Sequence, residues 1–151
     1  MYLAAYQPDI PQNTGALIRL AASLNVQLHL IEPFGFLWDD RKIRTAAMDY
    51  IDHVRLTRHA SWGHFIEWVG EKRIILLSTK AALPYTDFTY KNDDVLLLGR
   101  ESAGVPDDVH NAATARVLIP MNPHTRSLNI VIAGAMVLGE ALRQTTDFPQ
   151  T

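Results

Sequence analysis

The sequence predicts an α/β fold, a single domain built on a mainly parallel sheet flanked by helices. Short apolar runs at Tyr2–Tyr6, Arg73–Ser78 and Val95–Leu98 are continuous rather than alternating, so both faces of the sheet must be covered. Stretches with helical spacing fall between such runs. At 151 residues, 48% hydrophobic and 20% charged, the chain can bury one real core, and no repeat, low-complexity tract or linker divides it.

The first strand, Tyr2–Tyr6, ends ahead of Pro8. After the turn at residues 7–12, Asn13 or Thr14 is placed to cap a helix that runs to about Leu24. Leu17, Leu20, Ala21 and Leu24 form its core stripe, which leaves Arg19 pointing away. A second strand, Val26–Ile31, stops at Pro33-Phe-Gly. Ile43, Ala46 and Ala47 give helical spacing to residues 39–48, and Val54–Thr57 is a weak strand candidate. Ser61 caps an amphipathic helix with Phe65, Trp68 and Val69 inward. Residues 81–94 read as irregular, residues 106–111 as a short helix, and Arg116–Ile119 as the last strand.

Pro120 and Pro123 bar regular structure, so residues 119–126 should form an ordered loop. Ser127 is the expected cap of a final helix that is nearly free of charge. Leu128, Val131, Ile132, Ala135 and Leu142 make one apolar face; Ile130, Ala133, Gly134, Val137 and Ala141 make a second, rich in small residues. Such a helix must be buried on both sides. At about 17 residues, with Glu140 and Arg143 near its end, it is a poor membrane span.

Composition excludes several chemistries. Without cysteine there is no disulfide, thiolate metal site or cysteine nucleophile. The six histidines show no metal-ligand spacing, so no metal is expected. Gly99 and Gly104 have the gap of a P-loop, but Val105-Pro106 replaces the required Lys-Ser/Thr. A Ser127, His124, Glu101 triad lacks the nucleophile elbow. No signal peptide precedes the first strand, which points to the cytoplasm and away from membranes. Net charge is −2, so a polyanion partner needs a local patch, and Arg41, Lys42, Arg44, Arg55 and Arg58 supply one.

Three loops, after Leu77, Leu98 and Ile119, leave strands at their carboxyl ends. That is where open α/β sheets bind ligands, and three loops at one sheet edge would make one pocket.

Three blocks then carry a family resemblance: Pro11-Gln-Asn-Thr-Gly-Ala-Leu-Ile-Arg-Leu-Ala, Leu98-Gly-Arg-Glu-Ser-Ala-Gly-Val-Pro, and Ile119-Pro-Met followed by Ser127-Leu-Asn. Together, in this order, they resemble the SPOUT class of RNA methyltransferases, in its 2′-O-ribose branch. Ile31-Glu-Pro-Phe-Gly-Phe-Leu-Trp-Asp-Asp and Arg58-His make the chain most similar to the minimal members that modify the wobble nucleotide, cytidine or uridine 34, of tRNA. The resemblance covers essentially the whole chain, with no room for an added RNA-binding domain.

The resemblance implies a C-terminal deep trefoil knot, an exception to the rule that chains do not knot. It also implies a homodimer, with one face of the last helix on the sheet and the small-residue face on a partner. The implied cofactor is S-adenosyl-L-methionine (AdoMet), held by Leu77, Gly99, Ile119, Met121 and Ser127. The implied catalytic set is Arg19, Asn13, Glu101, Ser127 and Asn129. A guanidinium stays protonated in proteins, so Arg19 fits a fixed cation that acidifies the ribose hydroxyl better than a literal base, and Glu101 would orient it. Arg41, Lys42, Arg44, Arg55 and Arg58 are the expected phosphate contacts on tRNA. Two competing readings are a knotted RNA-binding dimer without turnover and a doubly wound nucleotide- or flavin-binding protein.

Overall fold

The computed structural model describes all 151 residues. Seven strands form one sheet: β1 (Tyr2–Tyr6), β2 (Gln27–Ile31), β3 (Leu56–His59), β4 (Ile74–Leu77), β5 (Leu83–Pro84), β6 (Val95–Leu98) and β7 (Ala115–Leu118). Their order is β3-β2-β1-β6-β4-β7-β5, and every pairing is parallel. The continuous apolar runs are explained by layers on both sides. Leu3, Ala5, Leu28, Leu30, Leu96 and Leu98 pack with α1 (Pro11–Ser23), α2 (Asp40–Ala47) and α5 (Ile130–Thr145). Ala4, Tyr6, Leu76 and Leu97 point the other way, onto Phe65 and Val69 of α3 (Trp62–Val69) and Val109 of α4 (Asp107–Ala112).

Register positions the functional edge. Leu77 is level with Leu98 on one side and Val117 on the other, and Leu98 is level with Ala5. Four neighbouring strands therefore end at one height, and the loops that leave them are forced together.

Three helix details differ from expectation. α1 starts three residues earlier than a cap at Asn13 implies, at Pro11, whose missing N–H costs nothing in the first turn; Asn13 and Thr14 lie inside the helix and no side chain caps it. α5 starts later: Asn129, not Ser127, is the cap, its Oδ1 accepting from Val131 N at 2.8 Å and Ile132 N at 3.3 Å. The faces of α5 are also exchanged. The small-residue face, with Ala133, Gly134, Val137 and Ala141, is the buried one. A Cβ on Gly134 would lie 3.0 Å from Leu98 Cδ1, so small side chains are what let the helix approach β6. Leu128, Ile132 and Met136 are left exposed instead.

Residues 81–94 hold more structure than expected: the two-residue β5 and a 3-10 turn at Tyr85–Asp87. Gln144 of α5 ties this segment down, accepting from Tyr90 N and donating to Phe88 O, each at 2.9 Å. Arg73 and the fully buried Asp94 brace the far end of β4 and β6.

Candidate active site

The loops after β4, β6 and β7 enclose a cavity of about 740 Å³, a normal size for a ligand site. Its walls include Leu77, Gly99, Ile119 and Met121, with Ser127 and Asn129 ahead of α5 and Asn13 from α1. Every residue expected to hold the cofactor thus reaches one hollow.

The β6 loop keeps its shape through two glycines. Arg100 and Gly104 bond reciprocally, N to O, at 2.9 and 3.0 Å. Gly104 sits at φ +62°, and a Cβ on Gly99 would lie 2.9 Å from the Gly104 backbone. The loop folds back because neither position carries a side chain.

Asn13 and Asn129 meet across the cavity wall, Asn129 Nδ2 donating to Asn13 Oδ1 at 3.2 Å. Glu101 does not meet Arg19. Its Oε2 instead accepts from the backbone N–H of Asp9 at 3.0 Å, joining the loop after β6 to the loop after β1. The Ser102 hydroxyl also donates to Asp9 Oδ2. Burial pushes the Glu101 carboxyl up, and its hydrogen bond with Asp9 adds to that. Asp9 is held below its ordinary range, chiefly by Glu101 and, against the pull of burial, by Ser102. Asp9 Oδ1 is buried without a hydrogen-bond partner. No motif pointed to Asp9; only the level ends of β1 and β6 bring it to Glu101.

Arg19 is the one expected catalytic residue outside the cavity lining. It stands exposed on α1 with its guanidinium 5.5 Å from the Tyr50 ring centroid.

This arrangement can be set beside known proteins. The model of the SpoU rRNA methylase family matches residues 1–139. This chain belongs to that family. A tRNA (cytidine(34)-2′-O)-methyltransferase of Beijerinckia indica is 60% identical over 144 residues, covering 94% of this chain and 90% of its own. Its namesake in Escherichia coli K12 is 39% identical, covering 94% and 92%. A structure from work on the 2-OH methylation of C/U34 on tRNA superposes with a TM-score of 0.89 at 38% identity, covering 95% of this chain and 94% of that one. The SpoU methyltransferase AviRb of Streptomyces viridochromogenes, solved with AdoMet, superposes at 0.85 with 25% identity, over 95% of this chain and 60% of its own.

The lining of this SpoU methylase fits AdoMet. Leu77, Ile119 and Met121 offer apolar walls to an adenine ring, three loops bring backbone groups, and Asn13, Ser127 and Asn129 stand at the polar side. The cationic residues are less unified than the sequence suggested. Arg41 and Lys42 are exposed on α2 and form no ion pair, whereas Arg44 is engaged twice by Asp52 and Arg58 by Glu32. Arg55 precedes β3, at the amino edge of the sheet, and donates to Asn25 O at 3.0 Å. It lies three positions before Arg58, about 10 Å along the strand and away from the cavity. No helix is long and apolar enough to cross a membrane.

Proposed function

We propose that this chain is an AdoMet-dependent tRNA 2′-O-methyltransferase that modifies the ribose of the wobble nucleotide, cytidine or uridine 34. The observation that carries this is the meeting of Leu77, Gly99, Ile119, Met121 and Ser127 on one cavity, in a chain 60% identical to a protein of that name. Bound there, AdoMet supplies a sulfonium methyl that a ribose oxygen takes as its proton leaves.

The chain's own residues then have distinct tasks. The Asn13–Asn129 bond fixes the start of α1 against the start of α5, so the polar side of the cavity is preorganised. Ser127 offers a hydroxyl to the ribose at that side. Glu101 fastens the β6 loop to the β1 loop, and so sets the cavity's width.

Arg19 lies outside its own cavity, and α5 leaves Leu128, Ile132 and Met136 uncovered beside α1. We therefore assign a homodimer in which this ridge is covered by a second copy and Arg19 serves the partner's cavity as a fixed cation. The deep trefoil knot belongs to the same proposal. Its support is the packing of α5 against β6 together with the clasp of Gln144 on residues 88–90, which lie before β6 in the chain. The enzyme is assigned to the cytoplasm, with tRNA phosphates met by Arg41, Lys42, Arg44 and Arg58 and without Arg55.

Labelled-methyl transfer to bulk tRNA tests the assignment. Wild-type protein should label it at nucleotide 34, located by mass spectrometry of digests, and Arg19→Ala should abolish labelling while AdoMet still binds. Absence of labelling with wild type would leave an RNA-binding dimer without turnover.

A further inference from the structure

The loop between β2 and α2 has a feature that methyl transfer alone leaves unused. The rings of Phe34 and Phe36 stack, with centroids 5.5 Å apart and planes 11° apart, and Trp38 joins Phe34 at 5.4 Å. The Arg58 guanidinium covers Trp38 at 4.4 Å and Phe34 at 5.4 Å. Gly35 N–H donates to Pro8 O at 3.0 Å, Trp38 Nε1 donates to Asp40 Oδ1 at 2.8 Å, and Asp39 caps α2. The loop is thus held from all sides.

Its three rings are half-buried against the core, and Leu37 between them is turned outward, 92% exposed. Ile132, the next most exposed large apolar side chain, reaches only 54%. A leucine held out on a rigid support costs the free protein contact with water and gains it nothing. The gain has to come from a partner.

Charge and position choose the partner. Arg41 and Lys42 stand on the first turn of α2, four and five residues beyond Leu37, exposed and without ion pairs. The two intervening carboxylates are occupied, Asp39 by the helix N–H groups and Asp40 by Trp38. The loop leaves the same carboxyl edge of the sheet as the cavity loops, and Gly35 lies against Asp9, which Glu101 binds at the cavity wall. A second copy of the chain is better matched by the uncharged ridge of α5.

We propose that Leu37, supported by Phe34, Phe36 and Trp38, packs against unstacked bases of the single-stranded loop that carries the methylated nucleotide, while Arg41 and Lys42 take its phosphates. This rests on the tRNA assignment above. Base faces are hidden in a duplex and available in a loop, so the contact selects single strands without reading sequence.

The test uses the full-length protein, an anticodon stem-loop carrying 2-aminopurine beside nucleotide 34, and a fully paired hairpin of equal charge. Leu37→Ala should weaken stem-loop binding about fivefold or more, toward the lower end of base-stacking losses, and lower kcat/KM with it. AdoMet affinity and hairpin binding should not change, and Leu37→Met should restore stem-loop binding. The fluorescence rise on binding, which reports unstacking, should be smaller for Leu37→Ala at saturation. If wild type methylates the stem-loop and Leu37→Ala matches it in affinity and fluorescence, the contact is refuted and the tRNA assignment stands. If Leu37→Ala instead lowers the oligomeric state, the surface belongs to a second copy. If wild type methylates no tRNA, both fall.

Discussion

Asn129 Nδ2 donates to Asn13 Oδ1 at 3.2 Å while Asn129 Oδ1 accepts from two backbone N–H groups of α5. One amide therefore caps the last helix with its oxygen and holds the first helix with its nitrogen, so helix stability and site geometry depend on the same side chain. The two roles separate by substitution. Asn129→Ala removes both and should cost about 1 kcal/mol of unfolding free energy as a lost cap. Asn13→Ala leaves the cap in place, should lose far less stability, and should still lower kcat because the tie to Asn129 is gone. Urea unfolding and methyl-transfer rates on the two variants check this.

The reversal of the β6 loop predicts a sharp intolerance at Gly99. A methyl group there would meet Gly104 Cα and C at 2.9 Å, both backbone atoms that cannot rotate away. Gly99→Ala should open the loop, with a stability cost of about 1–3 kcal/mol as for other overpacked sites. AdoMet affinity by calorimetry should fall while the far-ultraviolet circular dichroism stays that of the wild type.

Two arginine–aspartate pairs of like geometry should differ in worth. Arg73 donates to Asp94 at 2.7 and 2.6 Å, and the Asp94 side chain is fully buried. Arg44 donates to Asp52 at 3.0 and 3.1 Å, with both side chains more than half exposed. Arg73→Ala leaves a carboxylate buried without its cation and should cost about 3–5 kcal/mol. Arg44→Ala should fall within the small range of surface pairs. Denaturant midpoints at fixed m-value decide between them.

The free cations of α2 predict a salt signature. Arg41→Ala and Lys42→Ala should each weaken tRNA binding about equally for all tRNAs and reduce the slope of log affinity against log salt by about 1. Arg55→Ala should leave the slope unchanged, because that guanidinium is held by Asn25 at the other end of the strand.

How much of this was legible beforehand follows from the range of the interactions involved. Continuous apolar runs at Ile74–Leu77 and Val95–Leu98 announce a covered parallel sheet because every residue of such a strand meets a layer, a property that one short window carries. The three-loop pocket was legible because each loop leaves the carboxyl end of an apolar strand, whereas Leu77, Gly99, Ile119, Met121 and Ser127 were singled out within it by the family resemblance. Misplaced details were those set by packing between distant segments. Ser127 and Asn129 are equally good caps by composition, and only the meeting with Asn13 selects Asn129. The faces of α5 looked equally apolar, and the 3.0 Å approach of Leu98 to Gly134 decides which one the sheet takes. The basic cluster mixed Arg55 and Arg58 because charge counting ignores that a strand between them spans two edges of the sheet.

The buried histidine pair predicts an acid limit to stability. His29 of β2 and His59 of β3 share a hydrogen bond, Nδ1 to Nε2 at 2.8 Å, under the indole of Trp68, which stacks on His29 at 3.8 Å. His29 is 1% exposed and its Nε2 has no partner. Burial, then the neighbouring His59 and Lys72, lowers its pKa to about 4 from the ordinary 6.5. The folded state therefore keeps His29 neutral where the unfolded chain takes up a proton. Below about pH 6.5 the unfolded state binds more protons, so stability is intact above that value and is lost as pH falls toward 4. One such group sets a slope of at most about 1.4 kcal/mol per pH unit in that window. Urea unfolding between pH 4.5 and 7.5 should show this decline in wild type and a shallower one in His29→Phe, which removes the titrating group while keeping a ring against Trp68. An equal decline in both would assign the acid sensitivity to other groups.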